Sequence, residues 1–92
     1  MEPTITIEYC PKCGWMLRAA YMAQEFLTTF AGQLEAVTLK PGDSGIYKIY
    51  VNDALVFDRK ANGGFIEVKE LKQLIRDKIN PGMSLGHSDK VI

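Results

Sequence analysis

Two thiols set two residues apart, in Cys10-Pro11-Lys12-Cys13, are the residues whose type and spacing point most directly to chemistry. One helical turn brings sulfurs at that spacing within bonding distance, so the pair can open and close as a disulfide without moving the chain far. A helix N-terminus, with unsatisfied N–H groups and the positive end of its dipole, favours a thiolate there. Pro11 suits such a turn because it lacks an N–H that would go unused, Lys12 adds positive charge beside the sulfurs, and Gly14 follows the motif. The candidate catalytic residues are therefore Cys10 and Cys13, with Pro11, Lys12 and Gly14 shaping the motif and the helix start.

Thiolates at this spacing also hold zinc or iron–sulfur clusters. A closed site needs four ligands, and the chain offers two cysteines and one distant histidine, His87. A metal site would require a bridged dimer, so no metal ligands are assigned within one chain and no bound cofactor is expected. A purely structural or vestigial pair is the remaining alternative. Hydrolase chemistry lacks its parts: there is no Gly-rich phosphate loop, no Gly-x-Ser-x-Gly, and no histidine near the cysteines.

The rest of the composition narrows the setting. With 92 residues the chain suits one small domain, expected over residues 1–82, with a loose tail over 83–92. Eleven basic residues balance eleven acidic ones and form no stripe that would neutralise a phosphate backbone, which disfavours nucleic-acid binding. No secretory signal opens the sequence and no run of about 18 apolar residues occurs, so a cytoplasmic protein without a membrane partner is expected. In a reducing cytosol a pair at this spacing is better suited to transient oxidation than to a permanent bond.

The elements that must position the thiols are legible in periodicity. Thr4 to Tyr9 reads as a strand with Ile5 and Ile7 on one face and Thr4, Thr6 and Glu8 on the other. From Trp15 to Phe30, the residues Trp15, Met16, Ala19, Ala20, Met22, Ala23, Phe26, Leu27 and Phe30 share one side of a helix, with Arg18, Glu25, Thr28 and Thr29 opposite. Leu17 and Tyr21 fall on or beside the polar side and make a candidate exposed contact surface. Gly32 ends that helix, and Leu34 to Leu39 reads as a second strand. Ile46 to Val51 and Ala54 to Asp58 flank Asn52-Asp53, a hairpin whose loop residues accept positive φ. Arg59 to Phe65 reads as a flexible connection, and Val68 to Ile79 as a second amphipathic helix with Glu67 and Glu70 at its start and Arg76 and Lys78 at its end.

The resulting order, β-α-β-β-β-α, is that of a thioredoxin-like α/β (α+β sandwich) fold with a four-stranded mixed sheet. By analogy to that fold the strands should be ordered 2-1-3-4. The turn at Ser44, Gly45 and Ile46 and the loop at Gly63, Gly64 and Phe65 would then border the cysteines as candidate substrate-facing segments.

Over roughly residues 4 to 80 the sequence resembles the selenoprotein W-like group of the SelT/SelW/SelH, or Rdx, family. The residues that carry the resemblance are Tyr9 to Gly14, the Gly45-Ile46-Tyr47 start of the third strand, and the Arg59 to Phe65 loop with its paired glycines. The resemblance implies a cysteine-containing member with Cys13 where relatives carry selenocysteine. It also implies redox function, either thiol-disulfide exchange or peroxide handling, with glutathione or protein thiols as partners. Gly45-Ile46-Tyr47 stands where thioredoxins place a proline, which implies different substrates. On the order of attack the two lines diverge. In a thioredoxin-type site the first cysteine is the more exposed, which identifies Cys10 as the nucleophile, whereas the selenium position points to Cys13; for thiol exchange Cys10 is the expected attacker. A redox-controlled binding module that does not turn over a substrate is the competing function.

Overall fold

The computed structural model describes residues 2–86. Strand β1 (Thr4–Tyr9) leads through a 3-10 turn (Pro11–Cys13) into helix α1 (Met16–Thr29). Strands β2 (Ala36–Pro41), β3 (Tyr47–Val51) and β4 (Ala54–Asp58) follow, then a one-turn helix α2 (Arg59–Asn62) and helix α3 (Val68–Ile79). The sheet order is β2-β1-β3-β4, with β1 parallel to β2 and the other neighbours antiparallel. This is the expected mixed sheet. The single parallel pair needs a crossover, and α1 supplies it.

Alternation decides which face the helices cover. Ile5, Ile7 and Tyr9 of β1 and Tyr47, Ile49 and Val51 of β3 are buried, while their neighbours along each strand are more accessible. Against them pack Ala19, Met22 and Phe26 of α1, Phe30 just beyond it, and Leu71 and Ile75 of α3, in one core. Burying each of the larger side chains stabilises the fold by about 1.5–3 kcal/mol before entropy is counted. Lys72 of α3 joins Glu25 of α1 at 2.9 Å, a partly shielded ion pair that ties the two helices together. Opposite Ile49 and Tyr50 of β3 the register slips, leaving Val56 of β4 as a bulge that puts Phe57 in the core while Leu55 stays half exposed. The hairpin turns through Asn52 at φ 53°, and that residue also ties back to β1: its Oδ1 accepts from Thr4 N at 3.1 Å and its N–H donates to Thr4 O at 2.8 Å.

Several expectations are corrected. Helix α1 begins at Met16, not at Gly14 or Trp15, and its flank is drier in sequence than in space: Met16 is 57% and Leu27 49% exposed. Strand β2 is shifted two residues along, because it follows the register of β1 rather than the start of its own apolar run. Arg59 to Asn62 is helical, not a loose connection. Asp58 caps the turn by accepting from Lys60 N at 3.0 Å, and Gly63, at φ 81°, closes it in the left-handed region. One turn is too short to show a period, so only the caps could have announced it. Past α3, Met83 and Leu85 pack against the core, and Met83 is held by Gln33 and by Arg76, so the start of the expected tail is anchored. His87 and the rest of that tail lie outside the described residues.

Candidate redox site

Strand pairing gathers four chain segments at one end of the sheet. Tyr9, the last residue of β1, is in register with Pro41 at the end of β2 and with Tyr47 at the start of β3, while Lys48 pairs with Asp58 at the end of β4. Gly42 N donates to Tyr9 O at 2.8 Å. The approach is close enough that a Cβ on Gly42 would stand 2.8 Å from Glu8 Cγ and 2.9 Å from Ile46 Cγ2, so this position has no room for a side chain. Cys10 leaves the sheet at this crowded end.

The motif folds as its own 3-10 turn. Cys10 keeps an extended backbone, Pro11 takes the first position of the turn, and Gly14 at φ 73° closes it, its N–H donating to Pro11 O at 3.1 Å. Cys10 and Cys13 are joined in a disulfide, with Cα atoms 5.4 Å apart, and Cys13 N donates to Cys10 Sγ at 3.2 Å. The expectation that the sulfurs sit in the first turn of the long helix is therefore corrected. Left-handed Gly14 and Trp15 separate them from α1, whose dipole acts mainly within its own first turn.

The expected exposure order is reversed. Cys10 is 0% exposed, whereas Cys13, Lys12 and Pro11 are open to solvent. Burial of Cys10 breaks the alternation of β1, whose inward positions are Ile5, Ile7 and Tyr9: Tyr9 and Cys10 are buried in succession where the chain leaves the sheet, while Cys13, in the turn, is exposed. Lys12 makes no ion pair or hydrogen bond among the described residues, so its charge acts on the thiols only through space.

Around this turn sits an aromatic cluster that the sequence did not reveal as a unit. Trp15, Tyr47 and Phe65 meet edge to face, with ring centroids 6.1 Å apart for Trp15 and Tyr47, 5.1 Å for Trp15 and Phe65, and 5.0 Å for Tyr47 and Phe65. Arg18 Cζ lies 3.8 Å from the Phe65 centroid; Arg59 Cζ lies 4.7 Å from that of Trp15 and 5.2 Å from that of Phe65. Of the two segments expected to border the cysteines, the Gly63-Gly64 loop thus delivers Phe65 to the cluster. The Ser44-Gly45-Ile46 turn lies at the same sheet end, where a Cβ on Gly45 would meet Lys60 Cε at 3.3 Å, and Ser44 is exposed. Neither Arg18 nor Arg59 was singled out from sequence. The available signal was the placement of Arg18 three residues after Trp15, about one turn along the chain, and of Arg59 immediately past a strand that ends beside the motif.

Two polar atoms in this cluster, Tyr47 Oη and Arg59 Nε, are buried without a hydrogen-bond partner. Each unmade bond costs about 1–3 kcal/mol. Burial pushes the Tyr47 phenol up to about 12, against the opposing pull of the Arg18 charge. The folded state therefore holds this proton more tightly than the unfolded chain does. Its contribution to stability is complete below pH 10 and is lost as pH rises through about 12. Wild-type protein should lose on the order of 2–3 kcal/mol more stability than Tyr47→Phe across that window. Urea unfolding of both proteins at its two ends checks this; equal losses would place the titration elsewhere.

Among the described residues no group of three or more His, Cys, Asp or Glu is placed to hold a metal ion, and no helix is long and apolar enough to cross a membrane. Comparison with known proteins agrees with the fold and with the family resemblance. The chain matches a protein of Bordetella parapertussis at 50% identity and a TM-score of 0.82, over 85% of this chain and 99% of that one. It matches a selenoprotein W-related protein from Vibrio cholerae at 44% identity and a TM-score of 0.83, over 87% and 100%. Migration and invasion enhancer 1 from Mus musculus is 32% identical over 77 residues, 83% of this chain. The Bos taurus protein of that name is 33% identical over 78 residues, and the chain spans 64% of the length of both. The Rdx family pattern covers residues 4–77, from the first strand into α3, and the chain belongs to the Rdx family.

Proposed function

We propose that the protein is a small thiol-disulfide oxidoreductase in which Cys13 attacks and Cys10 resolves. The observation that carries this reading is the asymmetry of the pair: one sulfur is reachable, the other is 0% exposed, and both belong to one short turn. In the reduced protein the Cys13 thiolate attacks one sulfur of a substrate disulfide, forming a mixed disulfide and releasing the first substrate thiolate. Cys10, after losing its proton, attacks Cys13 Sγ, closing the internal bond and releasing the second. Two electrons pass from the protein to the substrate, and two protons end on the released thiols. In the closed form the N–H of Cys13 donates to Cys10 Sγ, which keeps the two residues of the turn in register. Access decides the order, because a sulfur without exposed surface cannot be approached by an external disulfide. Glutathione and protein thiols in a reducing cytosol are the partners that fit this chemistry.

Reduced protein mixed with the uncharged bis(2-hydroxyethyl) disulfide should convert one substrate disulfide per chain to thiols and lose two hydrogens in mass. Protein that keeps both thiols free to alkylation would sink the reading. Exposed Leu17 (84%) and Tyr21 (51%), on the helix that follows the motif, favour one second reading, a redox-controlled latch. A stable stoichiometric mixed disulfide with one protein, without turnover, would favour it.

A further inference from the structure

The aromatic cluster carries two permanent positive charges and no negative one. The side chains of Arg18 and Arg59 make no ion pair or hydrogen bond among the described residues. Their guanidinium groups lie against the rings of Phe65 and Trp15, which holds the planar forks in place but leaves the N–H edges unused. Two like charges against one ring repel each other unless an anion sits between them. The same cluster holds Tyr47, 1% exposed, whose hydroxyl has no hydrogen-bond partner, and the buried Nε–H of Arg59 has none either. Donor-bearing residues from three separate elements, α1, α2 and β3, therefore pack on the Phe65 ring without an acceptor for those donors among the described residues. Arg18 and Phe65 also line an open groove of about 470 Å³ with Tyr21, Met22 and Glu67, which gives a ligand a path from solvent.

We infer that Arg18, Arg59 and Tyr47 form a subsite for a carboxylate of a small peptide thiol or its disulfide, on the ring cluster whose Trp15 lies two residues past the attacking sulfur. A carboxylate fits this donor set because it is planar, carries one charge and offers two acceptor oxygens to the fork of Arg59 while leaving a lone pair for the phenol O–H. Glu67, on the groove lined by Arg18, sets a limit on added negative charge there. The assignment of the ligand as a thiol rests on the redox reading; the capture of a carboxylate does not.

Trp15 is the only tryptophan of the chain and lies in the cluster, so its fluorescence reports binding directly. The oxidised protein is titrated with S-methylglutathione, which bears carboxylates but no reactive thiol, with its dimethyl ester, and with inorganic phosphate at constant ionic strength. A saturable change is expected with the acid, with affinity about tenfold weaker for the ester and about tenfold weaker in Arg59→Gln, where a charge-assisted bond is lost. Arg18→Gln, on an exposed helix face, gives the same reading should Arg59→Gln fold poorly, and Tyr47→Phe should weaken binding less than either. No saturable change, equal affinity for acid and ester, arginine variants that bind like wild type, or phosphate binding as tightly as the acid would each overturn the carboxylate subsite. The disulfide stays closed throughout, so these outcomes are independent of turnover with the uncharged disulfide, which tests the redox reading alone.

Discussion

Cys10→Ser is expected to keep a rapidly alkylated thiol, and Cys13→Ser to alkylate more slowly by about 100-fold at neutral pH, because its remaining sulfur is reached only through local opening. The difference follows from burial: Cys10 is 0% exposed at the convergence of the strands, and Cys13 stands on the outer side of the 3-10 turn. Iodoacetamide rates measured across pH in the two variants check this. A faster thiol in Cys13→Ser would restore Cys10 as the attacker. If neither thiol exceeds the reactivity of a free cysteine with a pKa of about 8.5, catalysis loses to the latch or to a vestigial pair. The same asymmetry predicts that Cys10→Ser, but not Cys13→Ser, accumulates a mixed disulfide with an added small disulfide, since Cys13 can attack and nothing then resolves it.

Phe26→Ala should destabilise the fold by about 3–5 kcal/mol. Phe26 is 0% exposed, lies on the α1 face that also buries Ala19 and Met22, and belongs to the core shared with Ile5, Ile7 and Ile75. Removing the ring leaves a void lined by β1, α1 and α3 at once, so no single neighbour can collapse into it. A domain of this size has roughly 5–14 kcal/mol of stability in total, so the loss is a large share of it. Thermal unfolding should fall by roughly 12–40 °C, taking roughly 4–8 °C per kcal/mol for a chain of this length. A drop of only a few degrees would mean that the helix repacks and that the core is softer than its burial implies.

Much of the fold was legible because its signals are local. Alternation in Thr4 to Tyr9 and in the hairpin strands, the helical spacing of Ala19, Met22 and Phe26, and the Asn52 turn each depend on residues a few positions apart, and each recurs in the structure as an element of the expected type. Strand boundaries were less legible. Strand β2 extends to Pro41 because β1 offers Tyr9 as a partner, and hydrogen-bond pairing between strands is not encoded in either strand alone. Met83 and Leu85 read as tail because two apolar residues have no period, yet their burial comes from neighbours supplied by distant segments.

The candidate site divides along the same line. The sequence by itself determined that two sulfurs can meet, since two intervening residues bound their separation covalently, and that a strand precedes them and a long helix follows. Only the tertiary structure decided which sulfur faces solvent, because exposure of Cys10 depends on what β2, β3 and the Gly42 turn place over the end of β1. It alone also brought Trp15, Tyr47, Phe65 and the two arginines together. These residues come from α1, β3, α2 and the loops beside them, and their contact exists only once the sheet aligns the start of β3 and the end of β4 with the end of β1. Local spacing sets what a segment can become; the partners a side chain meets, and hence its burial, charge environment and reactivity, are set by chain segments that only folding makes neighbours.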